Sequence, residues 1–225
     1  MSDTAVFFDL DGTLLTGHLY SEVLRRRMRS LSGGVRATSY LLTHLTKVPL
    51  YRLGLMDTAR FYTSWGVDLA GLLKGMPKTE GGQLLKEAAQ RLLTTARPEM
   101  VDLVRKHRLQ GQIAVLVSSS FQPVLDEVAK RLHIPHAVGT ALEERDGHLT
   151  GRLAGTLCFG KEKAAMLQGF LQQSGLDIDL EESYAYADRY DDVPFLELVG
   201  HPVATYPDPR LLAYAVEKGW KVING

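Results

Sequence analysis

Two hydrophobic patterns divide the first half of the chain. Residues 5–8 (AVFF) form a short, continuous apolar run, which is typical of a strand buried on both faces of a parallel sheet. From about 18 to 90, apolar residues recur at three- and four-residue spacing, and this period predicts helices. Glycine pairs at 33–34 and 81–82 and a proline, Pro77, are turn signals, so we expect the helices to break at these points.

The second half of the chain alternates between helix-like and strand-like segments. The predicted helices cover 98–109, 121–132 and 161–173, and the predicted strands cover 113–117, 183–188 and, as the last parallel strand, 201–206. An Asp146-Gly147 pair between two strand-like arms predicts a β-hairpin. Strands that alternate with helices across short loops indicate βαβ units and therefore a parallel sheet.

These elements predict an α/β fold in which a doubly wound, Rossmann-like parallel sheet core carries an inserted all-helical cap domain. The core takes residues 1–15 and 92–225, and the cap takes residues 16–91. Ligands of such sheets bind outside the carboxyl ends of the strands. We therefore expect the functional residues to follow the strands directly.

Composition and charge narrow the classes of function. Of the 225 residues 45% are apolar, which is ample for a large core, and 26 basic residues balance 26 acidic ones, so no overall field favours nucleic acid. The single cysteine, Cys158, excludes an internal disulfide, and the first residues lack the features of a secretory signal, so we expect a cytoplasmic protein. The apolar stretch 39–56 contains Lys47, Pro49 and Arg52, so we expect no transmembrane segment.

A basic run in the predicted cap consists of Arg25, Arg26, Arg27 and Arg29. Such a run is most often a solvated helix face, but contact with an anionic substrate or with a membrane surface is an alternative. Together with the apolar stretch that follows it, the run also leaves a lipid phosphate open as a substrate. The role of these arginines and the oligomeric state are not predicted by the sequence.

Polar side chains follow the predicted strands. Asp9 and Asp11 come after the first strand, Ser118 follows 113–117, and Asp188, Asp191 and Asp192 end or follow 183–188. Carboxylates without neighbouring His or Cys form a hard, oxygen-rich site that suits Mg²⁺. The seven histidines show no zinc-binding spacing. Mg²⁺ is therefore the predicted cofactor.

A phosphate group would give each of these residues a role. Ser118 and the backbone N–H groups after it can donate hydrogen bonds to phosphate oxygens at the start of a helix. Lys163 lies in the first turn of a predicted helix, where a cation is unfavourable unless an anion compensates for it. One carboxylate can attack phosphorus while a second acts as general acid and base.

Four motifs occur in order along nearly the whole chain. They are Asp9-Leu10-Asp11-Gly12-Thr13, the apolar strand ending at Ser118, Gly160 through Lys163 to Leu167, and Ala187-Asp188 through Asp192 to Pro194-Phe195-Leu196. This set resembles the haloacid dehalogenase (HAD) superfamily, in the phosphoserine phosphatase-like branch (subfamily IB) with a helical C1-type cap. Lys161 is an alternative cation in the third motif, but the spacing from Gly160 and to Leu167 favours Lys163.

The resemblance implies a Mg²⁺-dependent phosphomonoesterase that hydrolyses a small phosphorylated metabolite through an aspartyl-phosphate. Asp9 would be the nucleophile and Asp11 the general acid and base. The phosphate would be bound by Ser118, Ser119 and Lys163, and Mg²⁺ by Asp9, by the carbonyl of Asp11 and by Asp188, with Asp192 supporting its water shell. A phosphotransferase or mutase with the same intermediate, and a catalytically silent HAD-fold binding module, are the alternatives.

Three positions differ from the phosphoserine phosphatase pattern. His18 stands where those enzymes carry a substrate-binding Glu, Ser119 and Ser120 replace a Gly-Gly pair, and Arg189 replaces a small residue. His18 is therefore expected to line a substrate pocket that differs from theirs. The motifs predict the type of reaction, and they leave open which phosphate ester is the substrate.

Overall fold

The computed structural model describes residues 3–29 and 31–224. Its strands are β1 Asp3–Phe8, β2 Ile113–Phe121, β3 His136–Thr140, β4 Leu142–Arg145, β5 His148–Leu153, β6 Ile178–Ala187, β7 His201–Thr205 and β8 Lys221–Ile223. Six of them pair in parallel in the order β3-β2-β1-β6-β7-β8, and β4 and β5 form an antiparallel pair. The first strand of the chain is therefore central in the sheet.

Helices fill most of the segment between β1 and β2. They are α1 Leu19–Arg27, α2 Leu31–Arg52, α3 Thr58–Gly71, α4 Lys78–Leu92 and α5 Pro98–Leu109, and later helices are α6 Gln122–Leu132, α7 Lys161–Ser174, α8 Val193–Leu196 and α9 Pro209–Lys218. None of the described helices is both long and apolar enough to cross a bilayer. The division into core and cap domains stays a prediction, and its residues 1, 2, 30 and 225 lie outside the described residues.

The apolar run of β1 is continuous because both faces of the sheet are covered. Successive side chains of a strand point to opposite faces, and Ala5, Val6, Phe7 and Phe8 are all fully buried. Ala5 and Phe7 belong to a cluster that includes Leu167 of α7, Phe195 of α8 and Leu211 of α9. Val6 and Phe8 belong to a second cluster that includes Met100 of α5 and Val128 of α6. Helices thus pack on both sides, which confirms the predicted doubly wound α/β fold.

The predicted hairpin is present and contacts the connection between α3 and α4. Its turn residues Asp146 and Gly147 have φ values of 51° and 74°, as a tight two-residue turn requires. The backbone N–H of Gly75 donates to the carbonyl of Leu149, and the N–H of Leu149 donates to the carbonyl of Met76, each at 2.8 Å. These hydrogen bonds attach the hairpin to the helical segment.

Two turn predictions in the helical segment are wrong. The glycine pairs at 33–34 and 81–82 lie inside α2 and α4, whereas Pro77 directly precedes α4 as predicted. A Cβ atom added to Gly81 would lie 2.4 Å from Cδ1 of Leu149, so this glycine lets α4 approach β5 closely. A glycine in a helix can serve close packing instead of a turn, and the two uses are alike in sequence.

The strand prediction also needs correction. β3 and β8 were not predicted, and β8, not the segment 201–206, is the last parallel strand. β2 continues beyond the predicted 113–117 to Phe121, with a shift in its register to β3 after Val117. The serines at 118–120 were expected to follow the strand, but they form its end, at the edge where ligands are expected.

Candidate active site

The carboxyl ends of three adjacent strands form the candidate site. Phe8 of β1 pairs with Leu116 of β2 on one side and with Tyr186 of β6 on the other. Asp9 follows Phe8 directly, and its backbone N–H donates to the carbonyl of Tyr186 at 2.9 Å. This register brings the acid pair after β1, the serines of β2 and the acids after β6 to one edge of the sheet.

Lys163 lies at the centre of the site. Its Nζ lies 2.6 Å from Oδ1 of Asp9 and 3.0 Å from Oδ1 of Asp192, and only 2% of its side chain is exposed. Nζ also lies 4.8 Å from the ring centroid of Phe195. Burial alone would lower the pKa of Lys163, but the attraction of Asp192 and Asp9 raises it above its ordinary value. Lys163 is therefore a fixed positive charge, whereas Lys161 is exposed.

Three carboxylates could hold a metal ion. Asp9, Asp188 and Asp192 each offer an oxygen, and these oxygens lie within 4.8 Å of one another. Burial, followed by the repulsion of neighbouring carboxylates, raises the pKa of Asp188 to about 8, and burial raises that of Asp192 to about 6. Burial also raises the pKa of Asp9, although Lys163 opposes the shift. A single lysine leaves this cluster short of positive charge, so the donor set fits a hard divalent cation such as Mg²⁺.

Asp11 lies apart from that cluster and faces the serines. Its Oδ2 accepts hydrogen bonds from the hydroxyls of Ser118 at 3.3 Å and Ser120 at 2.9 Å. Its Oδ1 is buried and has no hydrogen-bond partner among the described residues. Burial raises the pKa of Asp11. A carboxyl group with a raised pKa holds its proton more readily and can donate it, as a general acid must.

The three serines at the end of β2 have different surroundings. The hydroxyls of Ser118 and Ser120 both reach Asp11 because strand side chains alternate, so a period of two in the sequence indicates Ser120 as a second partner of Asp11. The carbonyl of Ser119 accepts a hydrogen bond from the hydroxyl of Thr140 at 2.9 Å. Ser119 and Ser120 line the cavity described below, while the hydroxyl of Ser118 is buried against Asp11. Phosphate binding by Ser118 and Ser119 stays a prediction.

Gly12 sets the position of Asp188. It has a φ of 91°, and a Cβ atom there would lie 2.2 Å from Oδ2 of Asp188. The hydroxyl of Thr13 donates to the other oxygen, Oδ1, at 3.3 Å. The turn after β1 is therefore built to bring Asp188 against the backbone.

We expect Gly12→Ala to displace Asp188 and to lower Mg²⁺ affinity about 10- to 100-fold, the usual effect of disturbing the support of a metal ligand. Isothermal titration with Mg²⁺ measures this loss. Gly111→Ala is the matched control, because Gly111 has a φ of 81° and nothing within 4 Å of an added Cβ. Both variants share the left-handed backbone strain, so an equal Mg²⁺ affinity in the two would contradict the prediction.

A cavity of about 360 Å³ opens beside Asp11 and Asp188. Apart from these acids, the serines, His18 and Arg189, its lining is largely apolar and aromatic. Most of these residues come from the helical segment, namely Leu19, Tyr20, Tyr40, Tyr62, Trp65 and Leu69, and Leu157 and Phe159 come from the loop before α7. His18 is exposed at this cavity and stacks on the ring of Tyr20, with centroids 5.5 Å apart. The structure thus brings His18 to the cavity, and its contact with a substrate stays a prediction.

Arg189 joins the site to the helical segment. Its guanidinium lies 3.9 Å from the ring centroid of Tyr62 in α3, and its Nη2 donates to Oδ2 of Asp191 at 2.8 Å. Burial alone would lower the pKa of Arg189, but the hydrogen bond with Asp191 raises it. Asp191 is thereby paired with Arg189 and lies outside the group of three carboxylates that could hold a metal.

Comparison with known proteins places the chain among hydrolases. A sequence model described as haloacid dehalogenase-like hydrolase matches residues 6–197. A histidinol-phosphatase of Neisseria meningitidis serogroup C (strain 8013) is 30% identical, over 100% of this chain and 99% of its own length. A crystal structure of a protein of unknown function from Bordetella pertussis Tohama I superposes with a TM-score of 0.82 at 28% identity, covering 100% of this chain and 99% of that one.

A substrate-bound phosphoserine phosphatase complex shares the fold. It has a TM-score of 0.67 at 19% identity and covers 100% of this chain and 94% of that one. An identity this low shows likeness of fold alone, and the choice of substrate must be argued from the cavity.

Proposed function

Because the chain belongs to the haloacid dehalogenase-like hydrolase family, we propose that it is a Mg²⁺-dependent phosphatase that hydrolyses a small phosphate monoester through an aspartyl-phosphate on Asp9. One observation carries the proposal. The Asp9 carboxylate is buried at the end of the central strand, is held at 2.6 Å by Lys163, and belongs to a cluster of three acids beside the cavity.

The proposed reaction has two steps, and residues of the chain act in each of them. In the first, a carboxylate oxygen of Asp9 forms a bond to phosphorus while the bond from phosphorus to the ester oxygen breaks, and Asp11 gives its proton to the departing alcohol. In the second, Asp11 takes a proton from a water molecule that attacks phosphorus, the bond to Asp9 breaks, and inorganic phosphate leaves. The raised pKa of Asp11 suits the first step, in which the group must begin protonated.

The residues around the phosphate group would balance the charge on its oxygens. Lys163, Ser118 and Ser119 would bind these oxygens. Mg²⁺ would be held by the carboxylates of Asp9 and Asp188 and by the Asp11 carbonyl, with Asp192 supporting its water shell, and would neutralise charge on the transferring group. Helix α3, with Tyr62 and Trp65 above the cavity, would limit the access of water during the first step.

Phosphate release from a generic aryl phosphate tests this function. We expect turnover with Mg²⁺ and its loss with a chelator. Added alcohols would accept the phosphoryl group if the protein were a transferase, so the yield of new phosphate esters separates that alternative from hydrolysis. Absence of turnover on every ester tried, together with absence of Mg²⁺ binding, would favour the binding-module alternative and contradict the proposal.

The cavity favours a leaving group with a ring. Tyr20, Tyr62 and Trp65 provide flat surfaces on which a ring can stack, and the carboxylates in the lining are Asp11 and Asp188, both part of the site. His18 supplies no negative charge for an ammonium group, and phosphoserine and histidinol phosphate both carry one, so stacking on the imidazole ring is what would distinguish the two esters. The relative named histidinol-phosphatase supports an imidazole-bearing ester, so histidinol phosphate is the first ring-bearing substrate to assay.

We expect kcat/KM to be higher for histidinol phosphate than for phosphoserine or glycerol phosphate. Trp65→Leu should lower kcat/KM about tenfold for the ring-bearing ester and leave glycerol phosphate nearly unchanged, because the lost contact is stacking. Trp220→Leu is the matched control, since Trp220 packs on Tyr214 of α9, away from the cavity. An equal loss for both esters in Trp65→Leu would contradict the predicted class of substrate.

A further inference from the structure

The segment 23–56 carries a strong charge asymmetry within a neutral chain. It contains no Asp or Glu, while the whole chain balances 26 acidic with 26 basic residues. Its lysines and arginines are Arg25, Arg26, Arg27, Arg29, Arg36, Lys47 and Arg52. Most of this segment is α2, which carries Arg36, Lys47 and Arg52 and has no acid in its own sequence.

The outer face of α2 is unusually apolar. Ala37, Tyr40 and His44 are buried on the inner face, whereas Val35, Leu42 and Leu45 are exposed by 73%, 61% and 59% of their surface. At about 100° per residue these three exposed side chains fall within a sector of about 80°. Just beyond the helix, Leu53 and Leu55 are exposed by 71% and 74%. We call Val35, Leu42, Leu45, Leu53 and Leu55 the outer apolar face.

Cations without acidic partners accompany the outer apolar face. Arg29, Arg36 and Arg52 form no ion pair with a described residue, and Arg36 donates only to the backbone carbonyl of Lys74. The remaining exposed cations are neutralised, with Arg25 paired to Glu22, Arg26 to Glu87 and Lys47 to Asp68. Arg29 precedes the outer apolar face and Arg52 follows it, whereas Arg36 is directed to Lys74. The face is thus apolar in the middle and positive at both ends.

We propose that the outer apolar face binds the surface of an anionic lipid bilayer, with α2 lying in the plane of the membrane. Exposed leucines and a valine would enter the boundary between headgroups and acyl chains, while Arg29 and Arg52 contact lipid phosphates. Self-association explains the face less well. A twofold contact would bring the unpaired arginines of two copies together, and the segment offers no acid to pair with them.

This inference goes beyond the proposed function and does not depend on it. The inner face of the same helix carries Tyr40, which lines the catalytic cavity. A bilayer on one face of α2 would therefore leave the cavity on the other face unblocked. The chain would work at a membrane surface without spanning it.

Sedimentation with lipid vesicles tests the proposal. We expect the full chain to sediment with phosphatidylcholine vesicles that contain phosphatidylglycerol, to stay in solution with phosphatidylcholine alone, and to be released by high salt. Leu42→Ser/Leu45→Ser should lower the partition coefficient at least about tenfold. Arg29→Gln/Arg52→Gln should lower it about fivefold for each arginine, and the salt dependence should weaken.

Leu109→Ser/Val216→Ser is the matched control, because these residues are 81% and 69% exposed but lie outside the segment. It should sediment like the natural chain, and circular dichroism should show that all variants are folded. Failure of the natural chain to bind anionic vesicles, or an equal loss in the control, would overturn the proposal. So would a dimer in analytical ultracentrifugation that Leu42→Ser/Leu45→Ser dissociates, because a second copy would then cover the face.

Discussion

Replacing Asp9 by Asn is expected to lower kcat on an aryl phosphate at least about 10⁴-fold, because the amide cannot form the covalent bond to phosphorus. The substitution keeps the shape of the side chain and removes one carboxylate from a buried cluster in which Asp188 already has a pKa raised to about 8. Lys163 keeps Asp192 as a partner at 3.0 Å, so no buried charge is left uncompensated. The fold should therefore be retained, and the urea midpoint should fall by a small amount at most. Steady-state phosphate release measures the loss of activity.

Asp191→Asn provides the control for Asp9→Asn. Asp191 follows the same strand edge as the metal-binding acids but pairs with Arg189 at 2.8 Å, outside the cluster of three carboxylates. We expect its substitution to change kcat less than about tenfold. If Asp9→Asn kept more than about one hundredth of the natural activity, Asp9 would not be the nucleophile.

Lys163→Met is expected to lower the free energy of unfolding by about 3–5 kcal/mol at neutral pH without Mg²⁺, the usual loss when one partner of a buried ion pair is removed. Lys163 contacts both Asp9 and Asp192, and their side chains are only 7% and 6% exposed. Methionine matches the length of the lysine but leaves these carboxylates without a cation. Urea unfolding in the presence of a chelator measures the difference.

The loss in Lys163→Met should grow as the pH rises from 5 to 8. The pKa values of Asp192 and Asp188, about 6 and about 8, lie above the ordinary value of 3.8. The folded state therefore binds protons more tightly than the unfolded chain, and the free energy of unfolding falls as the pH passes through this window. Lys163 has a raised pKa, so its stabilising charge persists across the same window in the natural chain and is missing in the variant.

Lys161→Met is the matched control for the stability measurement. Lys161 lies two residues earlier on α7 and is exposed, so its replacement should change the free energy of unfolding by less than about 0.5 kcal/mol. A loss in Lys163→Met that was no larger than this, or that did not change with pH, would contradict the role of Lys163 as the counter-ion of the acids.

Much of the fold and of the acid cluster could be predicted because each rests on a local pattern. The run AVFF indicated a buried strand, and parallel strands share one carboxyl edge, so Asp9 and Asp188 were expected to meet. Lys163 was placed with them through its motif. These features depend on backbone register, which hydrophobic patterning fixes strongly.

Features that depend on packing between distant segments were not predictable in the same way. Gly81 looks like a turn residue in the sequence, yet it lies inside α4, where the missing side chain lets Leu149 pack closely against the helix. The hydrogen bond from Ser120 to Asp11 depends on β2 running past its apolar residues, and the pairing of Arg189 with Tyr62 depends on how α3 lies over the strand edge. Single-sequence patterns carry no information on such long-range contacts.

Trapping the covalent intermediate tests the central claim most directly. In Asp11→Asn the aryl group of an aryl phosphate can leave without a proton, but no base remains to activate water, so the intermediate should accumulate. The reaction would be quenched with acid within the first turnover and the protein mapped by mass spectrometry. We predict a phosphoryl group on Asp9 in the presence of Mg²⁺ and none with a chelator. A phosphoryl group on another residue, or stoichiometric release of the aryl alcohol with no phosphorylated protein, would contradict the account.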